Sequence, residues 1–431
     1  MCFETLEDWL RWQEGLHPRA VDLGLDRCRL VASRLGLPGA GFIVFTVAGT
    51  NGKGSTVAFL EAILEAAGQR TGAYTSPHLL RYNERVRVGG RPVDDRTLCE
   101  AFARVERARG DTSLTYFEFG TLAAMDVFRG AALDAVVLEV GLGGRLDAVN
   151  VFDPDVAVIT AVDLDHMDWL GPDRESIGRE KAGVLRGGRP AVCADPDPPR
   201  SVLATALTLG ARLQIAGRDF HGVVRGATWD WHSGDRVERG LPNPALPGAF
   251  QVQNAAGAIA ALAALGDRLP VTRAAIDRGL SEARLPGRLQ VLGGSVERIL
   301  DVAHNPQAVR ALAGFLAGRP GSGRTHALIG MLADKDCRGV VREAAGVVDA
   351  WHTVSLPGPR GLDAGTLADA LVEAGVPADR VHPRGEAAQA YVAVLGSVLP
   401  PDRIVVFGSF LTVAAALRVE SARAGAAALL G

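Results

Sequence analysis

The chain is expected to fold as two α/β domains, a larger one built on a mostly parallel sheet and a smaller doubly wound one after it. Three observations carry that expectation. At 431 residues the chain exceeds what a single hydrophobic core ordinarily supports. An apolar strand, Phe42 to Ala48, runs into a turn, Gly49-Thr50-Asn51-Gly52-Lys53-Gly54-Ser55-Thr56, and out into a helix from Val57. Beyond Arg284-Leu285-Pro286-Gly287-Arg288 the alternation of strand and helix starts afresh. The boundary is therefore placed between a P-loop-type domain over residues 1–287 and a Rossmann-like domain over 288–431.

Composition narrows the class. Forty-eight per cent apolar and 22% charged residues with a net charge of −3 describe an ordinary globular protein without the basic field that nucleic acid requires. Cys2, Cys28, Cys99, Cys193 and Cys337 lie far apart with no CxxC pair, which argues against a disulfide framework or a cysteine zinc site. They are expected to be reduced and mostly buried. The first residues are acidic and amphipathic, and no apolar run approaches a membrane span, so a cytoplasmic location is expected.

In chain order, Thr5 to Gln13 reads as a short amphipathic helix, His17-Pro18 breaks it, and a second helix ends near Leu35. The glycine-rich turn comes next. Backbone N–H groups and the positive end of the following helix converge there, which makes a phosphate cradle. Glycines admit close approach of oxygens, Lys53 reaches outer phosphates, and the hydroxyl of Ser55 or Thr56 can meet magnesium. The strict P-loop pattern wants glycine and a hydroxyl residue where this chain has Val47 and Gly54, so the turn is a variant.

Thr71 to Thr75 is a second strand completing a βαβ unit, and Ser76 and His78 follow its carboxyl end, beside the turn. Arg85 to Val93 predicts a small exposed hairpin turning through Gly89-Gly90. Asp95 to about Gly130 is helical in two parts, with Thr115-Tyr116-Phe117-Glu118-Phe119 between; aromatics flanking Glu118 suit either core packing or a planar ligand. Asp134 to Val140 is a buried strand interrupted only by Glu139, a carboxylate that needs a positive partner, with magnesium the simplest. Val156 to Thr160 ends in Asp163-Leu164-Asp165-His166-Met167-Asp168, where the histidine leaves a transition metal open beside magnesium. Lys181, on the helix that follows, carries no signal by pattern. Gly217 to Gly240 predicts a hairpin excursion, and a helix from Gln251 to Ala264 carries Asn254 in its first turn.

The second domain reads as strand Arg298 to Leu300, then Asp301-Val302-Ala303-His304-Asn305-Pro306 and a helix to about Ala317. Strand His326 to Gly330 and its helix, strand Trp351 to Ser355 and its helix, and a last strand and helix from Arg403 follow. Asp301 and His304 stand just past the first of these strands, where a ligand shared between domains would be met.

Together these motifs resemble the bacterial bifunctional dihydrofolate synthase/folylpolyglutamate synthase family within the Mur ligase superfamily. The likeness spans nearly the whole chain. It rests on Val47 to Ser55, Thr75 to Leu79, Leu138 to Asp147, Asp165-His166, Gly178 to Gly183, Leu285 to Arg288 and Asp301 to Pro306. Ser55 stands where many relatives have threonine, which keeps the hydroxyl.

The resemblance implies ATP at the turn Thr50, Asn51, Gly52, Lys53, Gly54 and Ser55, with Asn254, Arg288, Asp301 and His304 also contacting the nucleotide. It implies two magnesium ions, with Ser76, Glu139 and His166 around the metal and Lys181, as a carbamate, a ligand for a second ion. Lys53, His166 and Lys181 are then the catalytic residues. It places the pteroate pocket at Asp22, Leu23, Gly24 and Leu25, at Thr115, Tyr116, Phe117 and Glu118, and at Leu146, Asp147 and Ala148. The substrates implied are dihydropteroate, reduced folates and L-glutamate, with a monomeric enzyme and neither nucleic acid nor membrane as partner.

The reaction expected is ATP-dependent amide formation: the γ-phosphoryl moves onto a carboxylate, and glutamate's amine attacks the acyl phosphate. A second domain suits this by closing over the reactants. A peptidoglycan-type Mur ligase and a nucleotide switch are the rivals. Against the first weigh Tyr116-Phe117-Glu118 and the lack of a separate uridine-nucleotide domain. Against the second weighs the presence of Asp301 and His304.

Overall fold

The computed structural model describes residues 3–39, 41–319 and 323–424, so Cys2 and the last seven residues of the expected second domain lie outside the described residues. The chain forms two compact units. The first comprises 1–245 and 251–284; the second comprises 246–250 and 285–431.

In the first unit, helices α1 (Leu6–Glu14) and α2 (Asp26–Leu35) precede strand β1 (Ile43–Ala48), helix α3 (Lys53–Ala66) and strand β2 (Thr71–Tyr74). Strands β3 (Val86–Val88) and β4 (Arg91–Pro92), helices α4 (Asp95–Arg109) and α5 (Tyr116–Gly130), strand β5 (Ala135–Glu139) and strand β6 (Val156–Ile159) follow. After them come α6 (Met167–Leu170), α7 (Arg174–Ala182), β7 (Pro190–Cys193), α8 (Arg200–Leu209) and β8 (Arg212–Ile215). Eight strands form one sheet in the order β4-β3-β2-β5-β1-β6-β7-β8, with β2, β5, β1, β6, β7 and β8 parallel. β3 and β4 form the expected hairpin through Gly89-Gly90, with β4 exposed, but β3 also joins β2 antiparallel with Val86 fully buried, so the hairpin is the edge of the main sheet.

Helices begin where side chains can take up their orphan N–H groups. Asp94 accepts from Thr97 N at 2.7 Å to start α4, and Thr115 with Glu118 forms a reciprocal capping box that starts α5. One face of the sheet packs against α1, α2, α4 and α5 through Val44, Leu138, Ile159, Trp9, Val31, Phe102 and Phe119. α3 packs on the sheet and against α10 (Arg273–Glu282). The expected excursion is a three-stranded antiparallel sheet of β9 (Phe220–Arg225), β10 (Thr228–Ser233) and β11 (Arg236–Pro242), followed by α9 (Phe250–Ala263).

The second unit opens with β12 (Gln290–Leu292), β13 (Glu297–Leu300), α11 (Pro306–Ala317), β14 (Thr325–Ile329), α12 (Cys337–Ala344) and β15 (Ala350–Ser355). It closes with α13 (Ala364–Glu373), β16 (Val381–Glu386), α14 (Ala387–Ser397), β17 (Arg403–Phe407) and α15 (Phe410–Ala424). Its sheet runs β12-β13-β17-β14-β15-β16, parallel apart from β12. Pro306 at the start of α11 and Asn305, accepting from Ala308 N at 2.9 Å, fix that helix directly after the Asp301 to His304 segment.

Cys28 and Cys193 are buried, Cys99 and Cys337 half-buried, and all four are free thiols. No helix among the described residues is long and apolar enough to cross a membrane.

Candidate active site

Strand order decides which segments meet. β2, β5, β1 and β6 are neighbours, and their carboxyl ends lead to Ser76, Glu139, the turn Gly49 to Ser55, and Asp163 to His166 respectively. Four of the sequence-predicted segments therefore share one edge of one sheet, as the carboxyl ends of a parallel sheet favour.

The turn leads into α3 at Gly52, whose φ of 91° is a conformation side chains rarely adopt, and a Cβ there would fall 2.5 Å from Asn254 Oδ1. Only glycine fits. Lys53 Nζ donates to Gly49 O at 3.0 Å and to Thr50 O at 3.1 Å, which holds the ammonium over its own turn. Thr50 Oγ1 is engaged elsewhere: it donates to Asp163 O at 2.9 Å and accepts from Asp163 N at 3.0 Å, fastening the turn to the segment after β6. Buried Ser55 accepts at Oγ from Gln251 Nε2 at 3.3 Å, and Gln251 Oε1 accepts from Asn254 Nδ2 at 3.0 Å. Ser55 and Asn254, far apart in sequence, are thus joined through Gln251, a residue the sequence pattern gave no reason to select.

Glu139 is buried, and its Oε2 accepts from Ser76 N at 3.1 Å. His166 takes a left-handed φ of 52° at the start of α6, and its N–H donates to Asp165 Oδ1 at 2.8 Å. The Asp165 carboxylate also lies 3.9 Å from His166 Nε2. Backbone conformations of this kind collect at functional sites because surrounding structure must enforce them.

Lys181 overturns the ordinary expectation for a helical lysine, being only 3% exposed. Burial drives its pKa well below the usual range, the Lys53 charge lowers it further, and Asp165 opposes both. Gly144 makes room for this helix end: a Cβ there would lie 2.9 Å from Glu180 O and 3.0 Å from Lys181 O. Asp147 is equally buried. Its Oδ2 accepts from Leu142 N at 2.8 Å and its Oδ1 from Val149 N at 3.0 Å, and burial pushes its pKa up to about 7.

The other sequence-predicted acids are also engaged within the protein. Asp22 Oδ2 accepts from Arg27 Nη1 at 2.6 Å, and Glu118 Oε2 accepts from Thr115 N at 2.8 Å. Beside them Phe117 packs on Tyr74 with ring centroids 5.8 Å apart. The Arg85 guanidinium sits 5.3 Å from the Tyr82 ring centre and 5.6 Å from that of Tyr116, and donates to His78 Nδ1 at 2.8 Å.

In the second unit, buried Asp301 accepts from Leu289 N and from Ala303 N, each at 2.7 Å. Burial raises its pKa, and Arg288 is the strongest of the groups that oppose the rise. Arg288 lies 5.1 Å from the Phe410 ring centre, and the His304 ring lies 6.2 Å from it while its Nδ1 pairs with Val302 O at 2.8 Å. Arg288, Asp301 and His304 are therefore one cluster, assembled on Phe410, another residue without a sequence signal.

A family model described as "Mur ligase middle domain" matches residues 47–262, and one described as "Mur ligase, glutamate ligase domain" matches 287–410. The chain is 48% identical over 418 residues to the dihydrofolate synthase/folylpolyglutamate synthase of Escherichia coli strain K12, covering 97% of this chain and 96% of that protein. The chain belongs to the dihydrofolate synthase/folylpolyglutamate synthase family of Mur ligases. The namesake from Bacillus subtilis strain 168 is 31% identical over 389 residues, covering 85% of this chain and 89% of its own length. Among solved structures, E. coli FolC in complex with DHPP and ADP superposes with a TM-score of 0.92 at 46% identity, covering 98% of this chain and 99% of that one. The bifunctional Yersinia pestis enzyme complexed with AMPPNP and Mn ion superposes with a TM-score of 0.89 at 47% identity, covering 98% of each chain. Membership of this Mur ligase family makes the chain a ligase.

Proposed function

We propose that this ligase uses ATP to join L-glutamate to dihydropteroate, giving dihydrofolate, and to the glutamate tail of tetrahydrofolates. The observation that carries the proposal is the convergence of four strand ends, β2, β5, β1 and β6, on the glycine-rich turn within a chain alike over its whole length to enzymes of that name.

ATP lies with its phosphates on the turn Thr50 to Ser55, at the amino end of α3, with Asn254, Arg288, Asp301 and His304 as further nucleotide contacts. The Thr50 hydroxyl is committed to Asp163 and its N–H to Ala161 O at 2.7 Å, so Thr50 serves by fixing the turn against the segment after β6. Ser76, Glu139 and His166 would hold the divalent ion, the hydroxyl and the buried carboxylate suiting magnesium and the imidazole being a less usual ligand for it. Among the described residues no three His, Cys, Asp or Glu side chains are grouped to hold a metal by themselves. Magnesium bound there neutralises phosphoryl charge and orients the transferring group.

Lys181 supplies the remaining ligand as a carbamate. Burial lowers the pKa of its amine and so favours the neutral form, which adds to carbon dioxide, loses a proton and leaves a carboxylate on nitrogen. That reading gives a second magnesium ion a ligand in a place where an ammonium would repel it. The pteroyl group occupies the segments Asp22 to Leu25, Thr115 to Glu118 and Leu146 to Ala148, with Phe117 offering an aromatic face.

The acceptor carboxylate attacks the γ-phosphorus, ADP departs, and the acyl phosphate forms. Glutamate's amine then adds to the carbonyl carbon, loses its proton, and phosphate leaves. Little covalent work falls on the protein; Lys53 neutralises the charge moving between phosphates and the turn holds the reactants in line. The enzyme works as a cytoplasmic monomer with a division of labour, the first unit holding ATP and acceptor and the second serving as the glutamate-ligase domain.

The test is ligation of labelled glutamate by purified protein with ATP, dihydropteroate in one tube and a tetrahydrofolate in another. Incorporation in both is expected. Incorporation only with tetrahydrofolate reduces the function to polyglutamylation, and incorporation in neither overturns it.

A further inference from the structure

The first turn of α2 reaches all three segments that form the acceptor pocket under the reading above. Arg27 Nη1 donates to Asp22 Oδ2 at 2.6 Å, and its Nη2 donates to Asp22 O at 2.8 Å while lying 3.2 Å from Glu118 Oε1. The next residue, Cys28, points its thiol at Ala148 O, 3.9 Å away. Residues 22, 118 and 148 are thereby drawn to one helical turn.

α2 starts at Asp26 and its N-cap, Leu25, offers no side-chain cap, so the entry to the helix is not fixed by the usual means. The Asp22 carboxylate has other cationic neighbours, His17 Nε2 at 3.4 Å and Arg19 Nη1 at 3.9 Å, but Arg27 alone of these also meets Glu118. The Glu118 side chain is only 5% exposed, and a carboxylate so buried is costly unless a cation meets it. A guanidinium is suited to bridging, since its planar fork presents several donors at fixed angles, whereas an ammonium is a point charge. Buried Arg27 Nε and Glu118 Oε1 have no hydrogen-bond partner among the described residues, so donor and acceptor capacity is left within the bridge.

We propose that Arg27 is a positioning residue of the acceptor pocket: it bridges Asp22 and Glu118 and so sets the spacing of the walls that receive the pteroyl group. It touches neither phosphate nor reacting carboxylate and acts through the two segments it joins. The proposal rests on the acceptor reading given under the proposed function.

Arg27→Lys and Arg27→Met are to be compared with the unaltered protein in ligation assays that vary dihydropteroate at saturating ATP and ATP at saturating dihydropteroate. Misplacing a binding wall by about 1 Å costs on the order of tenfold to a hundredfold. The KM for dihydropteroate should rise by about that factor in Arg27→Met and by less in Arg27→Lys, with the KM for ATP unchanged and kcat at saturation within about threefold. Should Arg27→Met fail to fold, Arg27→Lys, which keeps the charge but loses the planar fork, carries the test. An unchanged dihydropteroate KM in folded variants overturns the proposal, as does a loss of active protein or of melting temperature that leaves both KM values alone. If the unaltered protein ligates dihydropteroate, either result condemns the role of Arg27 only; if it does not, the acceptor reading fails and the proposal falls with it.

Discussion

The two units treat their buried ionisable groups differently. At the carboxyl edge of the eight-stranded sheet, Lys181 is buried with the Lys53 charge acting on it, an arrangement that lowers stability and persists where chemistry requires it. In the six-stranded sheet's unit, both oxygens of Asp301 are taken by backbone N–H groups at 2.7 Å, so the carboxylate braces the segment bearing Arg288 and His304. The contrast teaches where to look for catalysis and where for recognition. Lys181 stores unfavourable electrostatics, whereas Asp301 spends both its oxygens on geometry.

The sharpest way to break that contrast is Lys53→Ala. Removing one preorganised electrostatic contact should lower kcat by about 10²- to 10³-fold, read from glutamate incorporation. Near-normal turnover would remove the first unit's turn from the mechanism. Lys181→Met comes next: activity should fall about 10- to 100-fold, as when a metal's supporting group is lost. Without carbon dioxide and metal its melting temperature should hold or rise, because there an apolar side chain replaces a buried amine of similar length. Mass spectrometry of the unaltered protein should show one added carboxyl group on the peptide bearing Lys181, and an unmodified peptide under carbon dioxide would count against the carbamate.

Asp301→Ala should behave in the opposite manner. It strands two backbone donors, each worth about 1–3 kcal/mol when buried without a partner, so the loss should appear first as stability. The KM for ATP should rise while kcat changes less, and a pure kcat defect with native stability would erase the distinction between the units.

Stability also depends on pH. Burial holds the Asp147 carboxyl at about 7 against an ordinary 3.8, so the native state binds the extra proton and stability is fully present below 3.8 and lost as pH rises through 7. His352 in the second unit runs the other way. Burial, then Arg384, His326 and His382, depress it from 6.5 to about 3, so its contribution is present above 6.5 and lost as pH falls through 3. Urea titrations between those limits should show Asp147→Asn flattening the fall on the alkaline side and His352→Leu flattening the fall on the acid side. Identical slopes in both variants would show that neither group titrates as its surroundings imply.

Much of this was legible from sequence, for local reasons. A strand, a glycine turn and a helix are set by neighbours in the chain, so the β1 to α3 passage and the segments after β2, β5, β6 and β13 fall where the pattern puts them. Short or irregular elements were not legible. β7, an inner strand, opens with Pro190, and β16 reads Val-His-Pro-Arg-Gly-Glu, a composition that argues against a strand and is tolerated at the sheet edge where β16 lies. With β16 unseen, α14 went unseen too, and so did β8, β12, α8 and α10.

At the site, tertiary contact hid the rest. Lys181 sits among Arg179, Glu180 and other polar residues and looks solvated until α7 is packed against the Gly143-Gly144 turn. Gln251 meets Ser55 across 196 residues of chain, and Phe410 meets Arg288 across a shorter stretch that is still far longer than any local motif; no window of sequence contains either pair.

Central to the mechanism is that the acceptor carboxylate is phosphorylated before the amide forms. Dihydropteroate carrying oxygen-18 in its carboxylate, ligated to glutamate by the unaltered protein, tests this directly. Transfer of a labelled oxygen into the released phosphate is the result predicted, because the acyl phosphate's bridging oxygen leaves with the phosphate. Phosphate free of label, with amide formed at the normal rate, would contradict it.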